Sequence, residues 1–219
     1  MKILDKIQQC GVIPVVVMDD ASKAEPLANA LLDGGIDCVE ITFRTEAAAE
    51  TMQTIKRTCP QMTVGAGTVL TIEQARQAME AGAEFMVSPG SNEKVIRYCM
   101  EHQMCMIPGV MTPGEIEADM ELGITTMKFF PAEAAGGIKM LRALSQPYRN
   151  IKFMPTGGIG AENLEDYLKL SGVIACGGSW IVKQELIETE SYNQITRLSK
   201  EAKEIVNKVR DGGSSWQES

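Results

Sequence analysis

The sequence nearly lacks histidine. His102 is the only one in 219 residues, so no histidine metal cluster can be assembled, and a histidine-based triad could be built on this one residue alone. It follows Glu101 near an expected helix end and reads as a surface residue. Positive charge is also scarce. Lys and Arg number 21 against 29 Asp and Glu, a net charge of −8. That argues against binding nucleic acid or an anionic membrane, which need basic patches. An anionic substrate is still possible if its charge is met locally. No CxxC pair occurs among Cys10, Cys38, Cys59, Cys99, Cys105 and Cys176. Most of the six lie in apolar runs and read as reduced core residues of a cytoplasmic protein, not as disulfides or a zinc site. No stretch approaches the roughly 20 apolar residues of a membrane span. The start, Met1-Lys-Ile-Leu-Asp-Lys6, is amphipathic, carries Asp5, and does not read as a signal peptide.

What is present is a regular alternation. At 44% hydrophobic residues the chain can bury a full core. Residues 2–10 read as a short amphipathic helix stopped at Gly11. Eight short apolar strands follow, over residues 12–18, 38–43, 63–69, 85–89, 105–109, around Lys128, 152–156 and 173–177. Helices are expected between them, over residues 21–32, 45–58, 71–81, 93–102, after the capping box Thr112-Pro-Gly-Glu115, 137–144 and 162–170. A long helix over 192–209 closes the series. Strict alternation implies parallel strands, and eight units imply a (β/α)8 TIM barrel with an extra N-terminal helix. A doubly wound open sheet is the alternative, although it usually stops at five or six strands. No linker is evident, so residues 1–210 read as one domain. The Gly/Ser-rich stretch 211–219 reads as a disordered tail.

One lysine interrupts an apolar strand, in Thr126-Met-Lys-Phe-Phe-Pro-Ala-Glu133. If Lys128 is buried, desolvation favours loss of its proton, and a neutral amine forms Schiff bases with ketones. Otherwise it stands at a strand end and reaches solvent. In a barrel the chemistry sits at the C-terminal strand ends, and the polar and small residues cluster there. In Val39-Glu-Ile-Thr-Phe-Arg-Thr45 the period of two puts Glu40, Thr42 and Arg44 on one face. Facing inward, Glu40 and Arg44 read either as a structural ion pair or as an acid/base and a carboxylate clamp. The last two strands end in Pro155-Thr-Gly-Gly-Ile159 and Gly177-Gly-Ser-Trp180. Two such turns leading into helix N-termini make a phosphate site from backbone N–H groups; the plainer reading is two tight turns. No lysine or arginine lies in residues 156–160 or 177–180, so Ser179 and backbone N–H groups are expected to carry phosphate recognition.

These segments, with Gly65-Ala-Gly-Thr-Val69, Ser88-Pro-Gly90 and Gly136-Gly137, come in one order and spacing across about residues 10–200. In that order the chain resembles the bacterial 2-keto-3-deoxy-6-phosphogluconate (KDPG) aldolases, which often also act on 4-hydroxy-2-oxoglutarate (KHG). The resemblance implies a class I aldolase, a lyase that needs no metal or other cofactor. It implies Lys128 as the Schiff-base lysine and Glu40 as the general acid/base. Arg44, Thr68, Pro89 and Thr156 would line the pyruvate end, and Gly157, Gly158, Gly178 and Ser179 the phosphate end. It also implies a homotrimer. A sister group acting on the galactonate analogue departs after the strand-two glutamate, where Thr42, Arg44 and Thr45 favour the gluconate form. A phosphate-binding barrel isomerase or decarboxylase would leave Lys128 beside Glu40 unexplained. A non-catalytic sugar-phosphate binder would be expected to have lost one of the two.

Overall fold

A computed structural model describes residues 2–213. The chain opens with α1 (Ile3–Cys10), whose buried Ile7 and Cys10 seat it on the core. Gly11 ends the helix in the left-handed conformation, φ 76°, which costs a residue without Cβ least. Parallel strands and helices then alternate: β1 (Val12–Val16), α2 (Ala24–Asp33), β2 (Cys38–Thr42), α3 (Ala48–Thr58), β3 (Thr63–Gly67), α4 (Ile72–Glu80), β4 (Phe85–Val87) and α5 (Glu93–Glu101). The second half adds β5 (Cys105–Ile107), β6 (Gly109–Val110), α6 (Pro113–Glu121), β7 (Thr126–Phe129), α7 (Gly137–Ser145), β8 (Lys152–Phe153), α8 (Ala161–Leu168), β9 (Cys176–Gly178), α9 (Gln184–Glu188) and α10 (Tyr192–Gly213). The capping box stands at α6: Thr112 Oγ1 accepts from Glu115 N, and the Glu115 carboxylate accepts from Thr112 N.

The strands form a six-stranded sheet, β5-β4-β3-β2-β1-β9, and a three-stranded sheet, β6-β7-β8. The expected α/β fold of parallel strands is therefore present, but not as one uninterrupted eight-stranded sheet. Pro108, which has no N–H, splits the expected strand 105–109 into β5 and β6. The strand expected over 152–156 is reduced to two residues, with Pro155 just beyond. Single hydrogen bonds continue the ladders past these breaks: Lys128 N donates to Pro108 O (2.8 Å), Thr156 N to Phe129 O (3.0 Å) and Gly177 N to Pro155 O (2.9 Å). Parallel bridges also join Phe153 to Val173 and Thr156 to Gly177.

The core lies between sheet and helices, with Phe85, Phe129, Phe153 and Tyr167 its largest buried side chains. Burying a phenylalanine contributes roughly 1.5–3 kcal/mol. The Phe85 ring occupies the space that a Cβ on Gly65 would need, 2.2 Å away. The six thiols are free, and all but Cys105 are buried. His102 is exposed at the end of α5, its Nδ1 2.8 Å from Tyr98 O. The α9 helix was not expected from the sequence. The last helix runs three residues into the stretch expected as a tail, and residues 214–219 lie outside the described residues. No described helix is long and apolar enough to cross a membrane.

Candidate active site

Lys128 lies on β7 opposite Gly109 of β6 and is 4% exposed. It is buried rather than reaching solvent. Its Nζ is 3.7 Å from Glu40 Oε1 and 4.9 Å from the centroid of the Phe130 ring. Glu40 on β2 is fully buried, and neither of its oxygens has a hydrogen-bond partner among the described residues. A carboxylate so placed costs several kcal/mol unless a charge or a ligand meets it. Gly67 makes room for it. A Cβ there would fall 2.1 Å from Glu40 Oε1.

The Glu40–Arg44 ion pair does not form. The strand ends at Thr42, and the chain turns through Phe43 and exposed Arg44. Arg44 Nε donates instead to Thr68 Oγ1 at 3.2 Å. Thr42 Oγ1 donates to Val16 O and Thr45 Oγ1 to Met18 O, which fastens the end of β2 to the chain at the end of β1. Thr68 holds φ 58°, where a β-branched residue costs roughly 1–3 kcal/mol. The strain sits at the residue that positions Arg44.

Pro89 is half-buried after β4. Its carbonyl oxygen lies 2.2 Å from where a Cβ on Gly109 would fall, so glycine opposite Lys128 lets the two strand ends close together. Thr156 is 6% exposed, and its Oγ1 has no partner among the described residues. Gly157 and Gly158 follow at φ 104° and 76°. The space beside Gly158 is filled by Glu133, whose Cβ would be 2.6 Å from an added one. Glu133 Oε1 accepts a 2.5 Å hydrogen bond from Tyr167, and burial first, then that bond, raises the phenol above its ordinary value.

A cavity of about 400 Å³ opens beside this cluster. Arg44, Phe130, Thr156, Gly157, Gly158, Gly178 and Ser179 line it. Lys128, Glu40 and Thr68 are not among its lining residues; Lys128 Nζ lies 4.9 Å from the ring centroid of Phe130, which lines it, and Thr68 bonds Arg44, which also does. Pro89 is not among its lining residues; its carbonyl packs against Gly109, which stands opposite Lys128. Among the lining residues not anticipated as part of the site are two polar ones, Lys183 and Gln184, where α9 begins. They stand just past the Gly177–Trp180 turn, in a segment whose helix is too short to leave a periodic signal. A larger open cavity of about 680 Å³, beside Arg142, Arg149 and Lys152, contains none of the site residues. No group of three or more metal-ligating side chains occurs among the described residues.

Residues 3–198 match the family model described as KDPG and KHG aldolase. The 2-dehydro-3-deoxy-phosphogluconate aldolase of Treponema pallidum is 47% identical over 93% of this chain and 97% of its own length. The KHG/KDPG aldolase of Escherichia coli is 42% identical over 88% and 91%. A crystal structure of the KDPG aldolase of Legionella pneumophila, with pyruvate captured at low pH as a covalent carbinolamine, superposes with a TM-score of 0.88. It is 40% identical, covering 91% of this chain and 97% of that one.

Proposed function

Because the chain belongs to the KDPG and KHG aldolase family, we propose that it is a class I aldolase. It cleaves KDPG to pyruvate and glyceraldehyde 3-phosphate, and KHG to pyruvate and glyoxylate. The observation that carries this reading is the buried Lys128 beside the buried Glu40.

In its unprotonated form, the Lys128 amine attacks the C2 ketone. Glu40 gives a proton to the carbinolamine hydroxyl, which leaves as water and yields the imine. Glu40, through a water, then takes the proton of the C4 hydroxyl. The C3–C4 bond breaks, its electrons pass to the imine nitrogen, and the aldehyde departs. The enamine takes a proton at C3, and water releases pyruvate and free Lys128. The imine is the electron sink, so the chain's task is positioning and electrostatic stabilisation. Arg44, held by Thr68, meets the substrate carboxylate, with Pro89 and Thr156 beside the ketone. Gly157, Gly158, Gly178 and Ser179 receive the phosphate.

The two sheets and the bridges between them read as one (β/α)8 barrel with α1 as the extra helix. The protein is a single domain over residues 1–210, a cytoplasmic homotrimer needing no metal or other cofactor. The galactonate analogue is disfavoured by the Thr42-Phe-Arg-Thr45 segment, and an isomerase or decarboxylase by the buried pair. The test is product analysis. Wild-type enzyme should release pyruvate and glyceraldehyde 3-phosphate from KDPG in equal amounts, and Lys128→Met should release neither. Release of carbon dioxide, or cleavage that survives the substitution, would refute the assignment.

A further inference from the structure

We propose that Lys183 is the phosphate-facing cation of this site and sets its preference for phosphorylated over unphosphorylated 2-oxo sugar acids. The inference rests on the phosphate placement proposed above. The cavity lining carries two cations, Arg44 and Lys183, and no carboxylate. Arg44 is tied to Thr68. Lys183, at the start of α9, follows the Gly178–Ser179 turn and lines the same cavity. On this assignment Arg44 takes the carboxylate of the substrate and Lys183 its phosphate.

The backbone around Lys183 is fixed, while its ammonium has no partner among the described residues. Val182 N donates to Ser179 O at 3.1 Å, and Lys183 O accepts from Leu186 N (2.9 Å) and Ile187 N (3.3 Å). Gln184 Nε2 donates to Asp19 Oδ2 at 2.8 Å, tying the start of α9 to the loop after β1. Lys23 Nζ reaches Ile187 O and Glu188 O at the far end of α9. Lys183 Nζ itself has no ion pair or hydrogen bond among the described residues, whereas Lys6, Lys56, Lys169 and Lys208 each sit on a carboxylate. On its outer flank Lys183 shares a second cavity with Glu162 and Glu185. These two acids are its competitors for the ammonium. In a chain of net charge −8, a rim cation offsets the repulsion that an incoming phosphate meets.

The experiment compares Lys183→Gln, Lys183→Glu, Ser179→Ala and Lys152→Gln. The last removes the same charge away from the cavity. kcat/KM is measured for KDPG and for unphosphorylated 2-keto-3-deoxygluconate, at low and high salt. A partly exposed contact with a phosphate of charge near −2 is expected to be worth about three- to tenfold in kcat/KM. Lys183→Gln should lose that factor on KDPG, mainly through KM, and Lys183→Glu more. Neither should change the unphosphorylated substrate. The salt dependence on KDPG should weaken in Lys183→Gln and persist in Lys152→Gln. A silent Lys183→Gln beside a phosphate-selective Ser179→Ala would overturn the role of Lys183 and leave the phosphate placement standing. Equal losses on both substrates in Lys183→Gln would also overturn it. If neither Lys183→Gln nor Ser179→Ala discriminates between the substrates, the phosphate placement itself fails.

Discussion

Lys128 Nζ lies 3.7 Å from Glu40 Oε1, with the two side chains 5% and 0% exposed. The separation exceeds a direct N–H···O hydrogen bond, which reaches about 3.2 Å. It suits a proton passing through one intervening oxygen. A carbinolamine hydroxyl on Lys128 is such an oxygen. In the mechanism proposed above, the same carboxylate serves both the making of the imine and the breaking of the carbon–carbon bond.

Glu40→Gln removes the proposed proton carrier and keeps the shape. General acid–base catalysis is typically worth about 10²–10⁴-fold, so kcat on KDPG should fall by that factor. Borohydride trapping of pyruvate should slow but still go to completion. A kcat within about tenfold of wild type would assign the proton transfers elsewhere.

Gly67→Ala tests what places Glu40. The new Cβ would lie 2.1 Å from Glu40 Oε1 and 2.7 Å from its Cδ. Overpacking of this kind costs about 1–3 kcal/mol, and here it must also displace the carboxylate. We expect lower thermal stability, an unchanged far-UV circular dichroism spectrum and a kcat close to that of Glu40→Gln. Full activity in Gly67→Ala would mean that the carboxylate is not confined as described.

Glu84, at the opposite end of the strands, contributes a pH dependence to stability. It pairs with Lys56 at 2.7 Å and Lys6 at 3.2 Å, joining α1 and α3 to the start of β4. Burial pushes its carboxyl upward, but the hydrogen bonds and charges of Lys56 and Lys6 outweigh this and hold it below 4.5. A lowered folded value stabilises the native state above the ordinary value, and that contribution is lost as pH falls through the folded one. These side chains are about a third exposed, so the contribution is below about 1 kcal/mol. Urea unfolding should find Glu84→Gln less stable than wild type at pH 7, with the gap closing below about pH 4. A gap that persists in acid would trace the loss to packing rather than charge.

The alternation of strands and helices was legible because short apolar runs and helix caps each leave a local pattern, as at Thr112-Pro-Gly-Glu115. Lys128 and Glu40 were each legible as unusual charges in apolar strands, but their pairing came from the family resemblance; residue spacing alone set Glu40 beside Arg44 and left Lys128 either buried or at a strand end. Other features depend on tertiary context. Period-two reasoning put Arg44 on the face of Glu40, yet β2 ends at Thr42 and the turn sends Arg44 to Thr68. Nothing in a threonine signals a left-handed φ, as at Thr68. The five-residue α9 has no periodic window, so Lys183 could not be placed at the cavity from sequence. The prolines at 108 and 155 were visible, but their effect on strand length depends on which N–H the neighbouring strand requires.

The most direct test of the central claim is reductive trapping. Incubation with pyruvate and borohydride should add one covalent adduct per chain, abolish activity, and map by peptide mass spectrometry to Lys128. Lys128→Met should take up none. An adduct on Lys152, or none on the active wild-type enzyme, would contradict the Schiff-base assignment.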